Sequence, residues 1–252
     1  MKNFALLFLI SLLFTANSCR PTANKYYKLA LEKSDAGDTR GEIYYYNKVI
    51  EFYPNSTEAY VAYLSRSESK YLLKDFSGAM DDCNNLIKKY PNSETYNNRG
   101  DLKSKLKDFQ GAISDYNKAI QILPNSPNAY YKRGVIRSEL GDHKGAISDF
   151  TKAIENNDFD ESEYVVCVDA YPFGDKAYAF RGNEKYKLKD YEGAITDFNK
   201  AIEIKPKDTD TYIKRGLANI DLGNNESGCF DFKKAAELGA KGAFKMIKEY
   251  CK

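Results

Sequence analysis

A repeat of 34 residues constrains this chain more than any other feature. Three segments match almost letter for letter: GAISDYNKAI from Gly111, GAISDFTKAI from Gly145 and GAITDFNKAI from Gly193. Each follows a Tyr-x-x-Arg-Gly motif, and a fourth copy of that motif begins at Tyr212. The motif tyrosines are 34, 48 and 34 residues apart, so one interval carries a 14-residue insertion. Because a unit of this length cannot bury its apolar face alone, we expect the units to stack into an array.

The pattern within each unit predicts two helices, which we call helix A and helix B. Apolar residues recur three and four apart, and a short turn such as Lys107-Asp108 separates the two runs. Pro91, Pro124 and Pro206 end helix B, because proline cannot continue the helical hydrogen-bond ladder. Small residues at positions 8 and 20 of the unit predict a close approach of A and B, with an aromatic ring at position 24 beyond them.

This pattern resembles the tetratricopeptide repeat (TPR) family, whose motif has an aromatic at position 4, Gly at 8, Ala at 20, an aromatic at 24, Ala at 27 and Pro at 32. The third repeat supplies all six as Tyr96, Gly100, Ala112, Tyr116, Ala119 and Pro124. The fifth supplies them as Tyr178, Gly182, Ala194, Phe198, Ala201 and Pro206. The resemblance implies an all-α protein, an α-solenoid of about six TPR helix-turn-helix repeats with a C-terminal capping helix.

The first residues are typical of an export signal. An eleven-residue apolar run, Phe4 to Phe14, is too short to span a bilayer but has the length of a signal-peptide core. Cys19 directly follows small residues and resembles the lipidated first residue of a mature bacterial lipoprotein. The alternative is cleavage by the small-x-small rule at Ala16 and Ser18, which releases a soluble secreted or periplasmic protein.

These observations predict four parts of the chain. Residues 1–18 are a lipoprotein-type signal peptide, and 19–24 form a tether. Residues 25–240 form the TPR solenoid with an insertion at about 159–174, and 241–252 form the capping helix. The insertion is acidic first and apolar second, so it either contacts a partner or packs on the solenoid. Because Arg20 rather than Asp follows Cys19, the familiar sorting rule for lipoproteins favours the outer membrane, with the protein facing the periplasm.

Two sets of residues predict specific bonds. Cys229 lies eleven residues before the turn near Ala240 and Cys251 eleven after it, so an antiparallel helix pair places them at the same height. We predict a disulfide, since export permits oxidation; exposed free thiols are the alternative.

Arg at position 7 and Asp at position 23 occur together in five repeats and are both absent from the first, which predicts an ion pair within a repeat or between neighbours. The pairs are Arg66/Asp82, Arg99/Asp115, Arg133/Asp149, Arg181/Asp197 and Arg215/Asp231.

The sequence predicts no enzyme, no catalytic residue, no metal site and no cofactor. It has one histidine, His143, with no acidic or cysteine partner at ligand spacing, so a packing or surface role is expected. Phosphate-binding loops, nucleophile elbows and zinc-ligand spacings do not occur. With 38 Lys and Arg against 36 Asp and Glu, the chain has no excess charge to bind nucleic acid.

The TPR resemblance implies a protein or peptide partner bound in a concave groove lined by positions 2, 5, 9, 12 and 13 of helix A. The groove candidates are Asn97, Asp101, Tyr131, Ser138, Lys176, Asn183, Tyr186 and Lys187. We therefore expect a non-catalytic interaction scaffold of the bacterial cell envelope, anchored to the membrane by lipid only and without a small-molecule substrate. The alternatives are a subunit of outer-membrane assembly machinery and a glycan- or nutrient-binding lipoprotein, against which the absence of Trp argues.

Overall fold

The computed structural model describes residues 21–156 and 174–251. These two ranges contain thirteen α-helices and no strand, which confirms the predicted all-α class. The chain divides into two compact units, of which the first ends at Pro91 and the second begins at Asn92. None of the helices in these ranges is long and apolar enough to cross a bilayer.

The first unit contains two helical hairpins, which are repeats 1 and 2. Its helices are α1 (Ala23–Asp35), α2 (Thr39–Phe52), α3 (Thr57–Leu72) and α4 (Phe76–Lys89). Helix α1 begins two residues before the predicted start of the solenoid at residue 25, because the Thr22 side chain accepts a hydrogen bond from the Lys25 amide and caps the helix there. Repeat 1 therefore forms a hairpin although it lacks the Arg–Asp pair.

The second unit contains repeats 3 to 6 and a final helix. Its helices are α5 (Ser93–Lys105), α6 (Phe109–Ile122), α7 (Pro127–Glu139), α8 (His143–Glu155), α9 (Gly174–Lys187), α10 (Tyr191–Ile204), α11 (Thr209–Asp221), α12 (Asn225–Glu237) and α13 (Ala243–Tyr250). Gly174, which the sequence assigns to the insertion, is instead the first residue of α9; the rest of the predicted insertion lies outside the described residues. Helices A and B of each repeat contact each other, and helix B contacts helix A of the next repeat from α6 onward.

The turn between helices A and B has the same construction in most repeats. An Asp at position 16 accepts a hydrogen bond from the amide of the Gly at position 19, at 2.9–3.0 Å. These caps are Asp38, Asp75, Asp108, Asp142 and Asp190. A Cβ on those glycines would lie 2.0–2.2 Å from the Asp Oδ2 atom, so the cap requires glycine there. The helices B that precede the three prolines end two residues before each of them, at Lys89, Ile122 and Ile204, as predicted.

The core of repeats 3 to 6 forms where helix A meets the position-24 ring of helix B; in repeat 2 the buried Cys83 takes that position. Tyr116, Phe150, Phe198 and Phe232 are buried, at 0–2% exposure. A Cβ added to the facing glycine, as at Gly216, would lie 2.5–2.9 Å from the ring. The predicted close approach at position 8 is therefore confirmed. In repeats 3 to 6 any side chain larger than that of glycine at position 8 would clash with the position-24 ring.

A short final helix, α13, packs against α12 and covers the end of the array. It begins at Ala243, two residues later than the predicted cap. Cys229 of α12 and Cys251, just past the end of α13, form a disulfide in the structure, with their Cα atoms 5.6 Å apart. Ala243 is fully buried against Tyr212 and Ala235.

Candidate functional site

A buried Arg–Asp pair recurs in repeats 2 to 6 and sets the geometry around the helix-A surface. In each pair Nε of the Arg donates to Asp Oδ2 at 2.9 Å, and Nη2 donates to Oδ1 at 2.5–2.6 Å. The Asp side chains are only 2–3% exposed. The predicted ion pairs are confirmed, and all five lie within one repeat, where they join helix A to helix B by bidentate bonds.

The same arginines also connect neighbouring repeats. Each guanidinium lies 5.3–5.7 Å from the ring of the Tyr at position 4 of its own repeat. In four repeats the Nη1 atom donates to the side chain at position 25 of the preceding repeat, at 2.5–3.1 Å. These acceptors are Asn47, Asn117, Thr151 and Asn199. These mostly buried arginines therefore have a structural role, because their bonds join helix A to helix B and, in four repeats, to the preceding repeat.

The groove candidates lie on helices α5, α7 and α9. Helix α7 contacts both α5 and α9. We call this surface, formed by positions 2, 5, 9, 12 and 13, the A-helix face. It is not a row of free side chains: three of the eight candidates, Asp101, Ser138 and Tyr186, form hydrogen bonds to a neighbouring repeat. Asn97 at its α5 end is buried, 4% exposed, and its Oδ1 accepts no hydrogen bond from the described residues. Lys176 is exposed at the start of α9.

Asp101 connects repeats 3 and 4 on the A-helix face. Its carboxylate accepts hydrogen bonds from Lys132 Nζ at 2.6 Å and from the Tyr116 hydroxyl at 2.9 Å. Burial and the neighbouring Asp101 charge raise the pKa of Tyr116 far above its usual range, so the phenol stays protonated and donates. This candidate already holds two donors of its own chain.

Tyr131 belongs to an aromatic cluster between repeats 4 and 5. Its ring centroid lies 5.8 Å from that of Phe150 and 5.9 Å from that of Phe180, and the latter two are 5.7 Å apart. Burial, with a smaller contribution from the Asp175 charge, raises the pKa of Tyr131 to about 12. Phe180 remains 36% exposed, so the cluster presents an aromatic edge on the surface of α9.

Tyr186 connects repeats 5 and 6. Its hydroxyl donates a short hydrogen bond to Asp221 at the end of α11, and its ring lies 5.5 Å from that of Tyr191. Burial and the hydrogen bond to Asp221 raise the pKa of Tyr186 to about 12. Both predicted aromatic anchors therefore also hold neighbouring repeats together.

Three of the groove candidates donate hydrogen bonds to a buried carboxylate, Glu184, at the junction of repeats 4 and 5. The Glu184 side chain has no exposed surface. Oε1 accepts from Ser138 Oγ and Lys187 Nζ, both at 2.7 Å, and more weakly from Asn183 Nδ2 at 3.4 Å. Oε2 lies 2.6 Å from Nδ1 of His143. Burial raises the pKa of Glu184, but the bonds from Lys187, Ser138 and His143 outweigh it and hold that pKa below its usual value.

Sequence reasoning missed Glu184, and with it the partner of His143. The signal is in the repeat alignment: position 10 is Leu102, Ile136 and Ala218 in repeats 3, 4 and 6, all of them buried, so an acid in repeat 5 needs bonding partners. His143 likewise replaces the aromatic of its sister repeats. Among the described residues no group of three or more His, Cys, Asp and Glu side chains could hold a metal ion, and the contact between His143 and Glu184 has hydrogen-bond length.

Comparison with known proteins agrees with this construction. A profile described as "TPR repeat" matches residues 100–141 and 182–223, and profiles described as "tetratricopeptide repeat" match 127–160 and 61–93. No curated protein matches the chain.

Many solved structures share the fold. The chain is similar to MamA, with a TM-score of 0.59 and 25% identity over 70% of this chain and 96% of that one. It is similar to YrrB, described as a TPR protein with an unusual peptide-binding site, with a TM-score of 0.60 and 16% identity over 81% of this chain and 97% of that one. It also resembles the Cut9–Hcn1 structure, with a TM-score of 0.69 and 16% identity over 98% of this chain and 46% of that one. With its motifs, its helical hairpins and these matches, the chain belongs to the tetratricopeptide repeat family.

Proposed function

We propose that the protein is a non-catalytic scaffold of the bacterial cell envelope that binds a protein or peptide on its A-helix face. The observation that carries this proposal is the alignment of polar groups from successive A helices, in which Lys132–Asp101, Ser138–Glu184 and Tyr186–Asp221 each join two neighbouring repeats. These bonds pre-organise a surface of mixed charge with an aromatic edge at Phe180. Rigid, pre-organised surfaces lose less entropy when they bind an extended peptide.

Family membership supports the same proposal, because TPR proteins generally bind other proteins, and one similar structure, YrrB, is described by its peptide-binding site. In this chain we place the energetic centre on α9, which carries the exposed Phe180 and Lys176 and the Asn183 that contacts Glu184. Aromatic side chains concentrate interface energy, and hydrogen-bonding groups around them set the register of the peptide.

The groove is tested with a matched pair of substitutions. Asn183→Arg places a long cationic side chain at position 9, which blocks the A-helix face beside Glu184. Ser114→Arg makes the same change at an exposed position of helix B in α6 and is the control. Tagged protein is captured from detergent-solubilised membranes of its own source, and bound proteins are quantified by mass spectrometry. We expect Asn183→Arg to reduce the specific partner at least tenfold and Ser114→Arg to retain it. Equal capture by both variants would place the partner elsewhere.

The envelope location is tested at Cys19. If Cys19 carries lipid, the intact protein fractionates with membranes, and Cys19→Ala moves it to the soluble periplasmic fraction, since stable anchoring needs acyl chains. The mass of the mature N-terminal peptide separates the two cleavage alternatives directly. Unchanged fractionation of Cys19→Ala, or an unmodified N-terminal residue, would contradict the lipoprotein proposal without affecting the groove.

A further inference from the structure

A cavity of about 460 Å³ opens beside the buried carboxylate of the last repeat. It lies between α10, α11 and α12, all in the second unit. The buried Asp231 and Asn219 lie with Arg215 on its inner side, and the exposed Glu226, Ser227 and Phe230 form its rim; Ile195 and Asn199 of α10 also line it. Phe230 is 64% exposed. None of these residues belongs to the A-helix face.

Four sister repeats place a cation at this point. A Lys or Arg at position 11 of helix A lies 2.8–2.9 Å from Oδ2 of the position-23 Asp, and it donates to the carbonyl of the position-19 Gly at 3.2–3.5 Å. These cations are Lys70, Lys103, Arg137 and Lys185. Repeats 2 to 5 therefore surround their buried Asp with two positive charges.

The last repeat has lost the second cation. Position 11 is Asn219, whose shorter, neutral side chain donates to the Arg215 carbonyl at 3.1 Å and lies 3.5 Å from Asp231 Oδ2. Among the described residues, Arg215 is the one cation paired with Asp231, which is 2% exposed. The cavity walls thus hold one positive and two negative charges, because Glu226 stands at the rim.

Two other substitutions in this repeat favour a positively charged ligand in the cavity. Position 22 is Phe230, where repeats 2 to 5 have Asp81, Ser114, Ser148 and Thr196. An exposed aromatic face attracts a cation and covers the methylene groups of its side chain. Ser227 replaces the position-19 glycine, so a hydroxyl is added beside the carbonyl site that the sister cations use.

We infer that this cavity binds the ammonium group of a lysine side chain presented by a partner protein. The ammonium group takes the place of the position-11 cation and bonds to Asp231 Oδ2. The methylene groups of the partner's lysine lie against Phe230, and Glu226 stands at the rim. The inference goes beyond the proposed groove, because it adds a second contact on different positions of the repeat. A single side chain gives weak binding, in the millimolar range, and serves as an added anchor for a partner held elsewhere.

The test titrates the whole mature protein with Nα-acetyl-lysine N-methylamide and follows the Arg215 Nε–H and Asn219 amide signals by NMR. The uncharged Nα-acetyl-norleucine N-methylamide is the control ligand. We expect saturable shifts with the lysine probe and none with norleucine. Asn219→Lys supplies the cation from within the chain, as in the sister repeats, so it should weaken probe binding at least tenfold and raise the Tm. No saturable shift in the wild type, or equal binding by Asn219→Lys, would overturn the inference.

Two further variants keep the test independent of folding and of the groove. Glu226→Gln and Phe230→Ser change exposed positions, and each should weaken the lysine probe at least threefold with an unchanged helical signal. Undiminished binding by both would also refute the site. Asn183→Arg on the A-helix face should leave the titration as in the wild type, so loss of partner capture and loss of lysine binding are separable results.

Discussion

The third and the sixth repeats share a helical hairpin and a buried Arg–Asp pair. They differ in the polar residues around that pair and in the turn between helices A and B. In repeat 3, Lys103 adds a second cation to Asp115, and Asp108 caps helix α6. In repeat 6 the second cation is absent, and Asn224 makes no side-chain capping bond to α12. The pair that joins helix A to helix B is retained, whereas the groups around it change where the array ends.

The largest effect is expected from removing the guanidinium in the two settings. In Arg133→Ala, Asp149 keeps Arg137 at 2.8 Å, so we expect a loss of about 2 kcal/mol. In Arg215→Ala, Asp231 is left buried beside a neutral Asn219, and the expected loss is about 3–5 kcal/mol. Amide hydrogen exchange by mass spectrometry measures each repeat separately, with the exposed Lys214→Ala as control. Equal losses in the two repeats would show that the second cation contributes nothing.

The disulfide is the next largest contribution and is particular to the sixth repeat. Replacing Cys229 and Cys251 by alanine should lower the stability of the α12–α13 pair by about 3 kcal/mol, because the bond closes a short loop in the unfolded chain. Exchange protection should fall in α13 and stay unchanged in α5 and α6. Peptide mapping without reductant checks the bond itself, and recovery of both residues as free thiols would contradict it.

The fifth repeat differs from the third at position 10, where Glu184 replaces the buried Leu102. Glu184→Gln removes charge-assisted bonds and should cost about 1.5–3 kcal/mol at pH 7. The pKa of Glu184 is lower in the folded protein than in the unfolded chain, so the unfolded chain takes up the proton first on acidification. The contribution is present above about pH 4.3 and is lost as the pH falls through the folded-state pKa. Urea unfolding of both proteins from pH 7 to 3 should show their stabilities converging; a constant difference would contradict the assignment.

The smallest effect concerns position 15 of the turn. Lys107 has a positive φ of 65°, where repeat 6 has Gly223 at 89°. Because a residue with a Cβ is strained in this region, Lys107→Gly should stabilise repeat 3 by about 0.5–1 kcal/mol, and Gly223→Lys should destabilise repeat 6 similarly. Thermal unfolding of the two variants measures the shift. A destabilised Lys107→Gly would mean that chain entropy outweighs the strain.

Much of the fold could be predicted because each local rule is repeated in the chain. The glycine at position 8, the ring at 24 and the Arg–Asp pair recur with the same spacing, so their contacts follow from the helical hairpin itself. The cluster at Glu184 could not be predicted in the same way. Ser138 and His143 are 46 and 41 residues from Glu184 across the insertion, and only alignment of the repeats shows that an acid has entered an apolar position. The ring contact of Tyr131 with Phe180 could not be predicted from a single repeat, because Phe180 belongs to the next one.

The bond from four of the arginines to position 25 of the preceding repeat has a consequence for assembly. A head-to-tail joint of this kind has no inherent end and in principle continues from one molecule to the next as a filament. Position 25 of repeat 6 is Lys233, a cation where the other joints have an acceptor, and position 7 of repeat 1 is Leu29, which has no guanidinium. A joint between Lys233 of one molecule and Leu29 of another would therefore lack both the acceptor and the guanidinium of the internal joints.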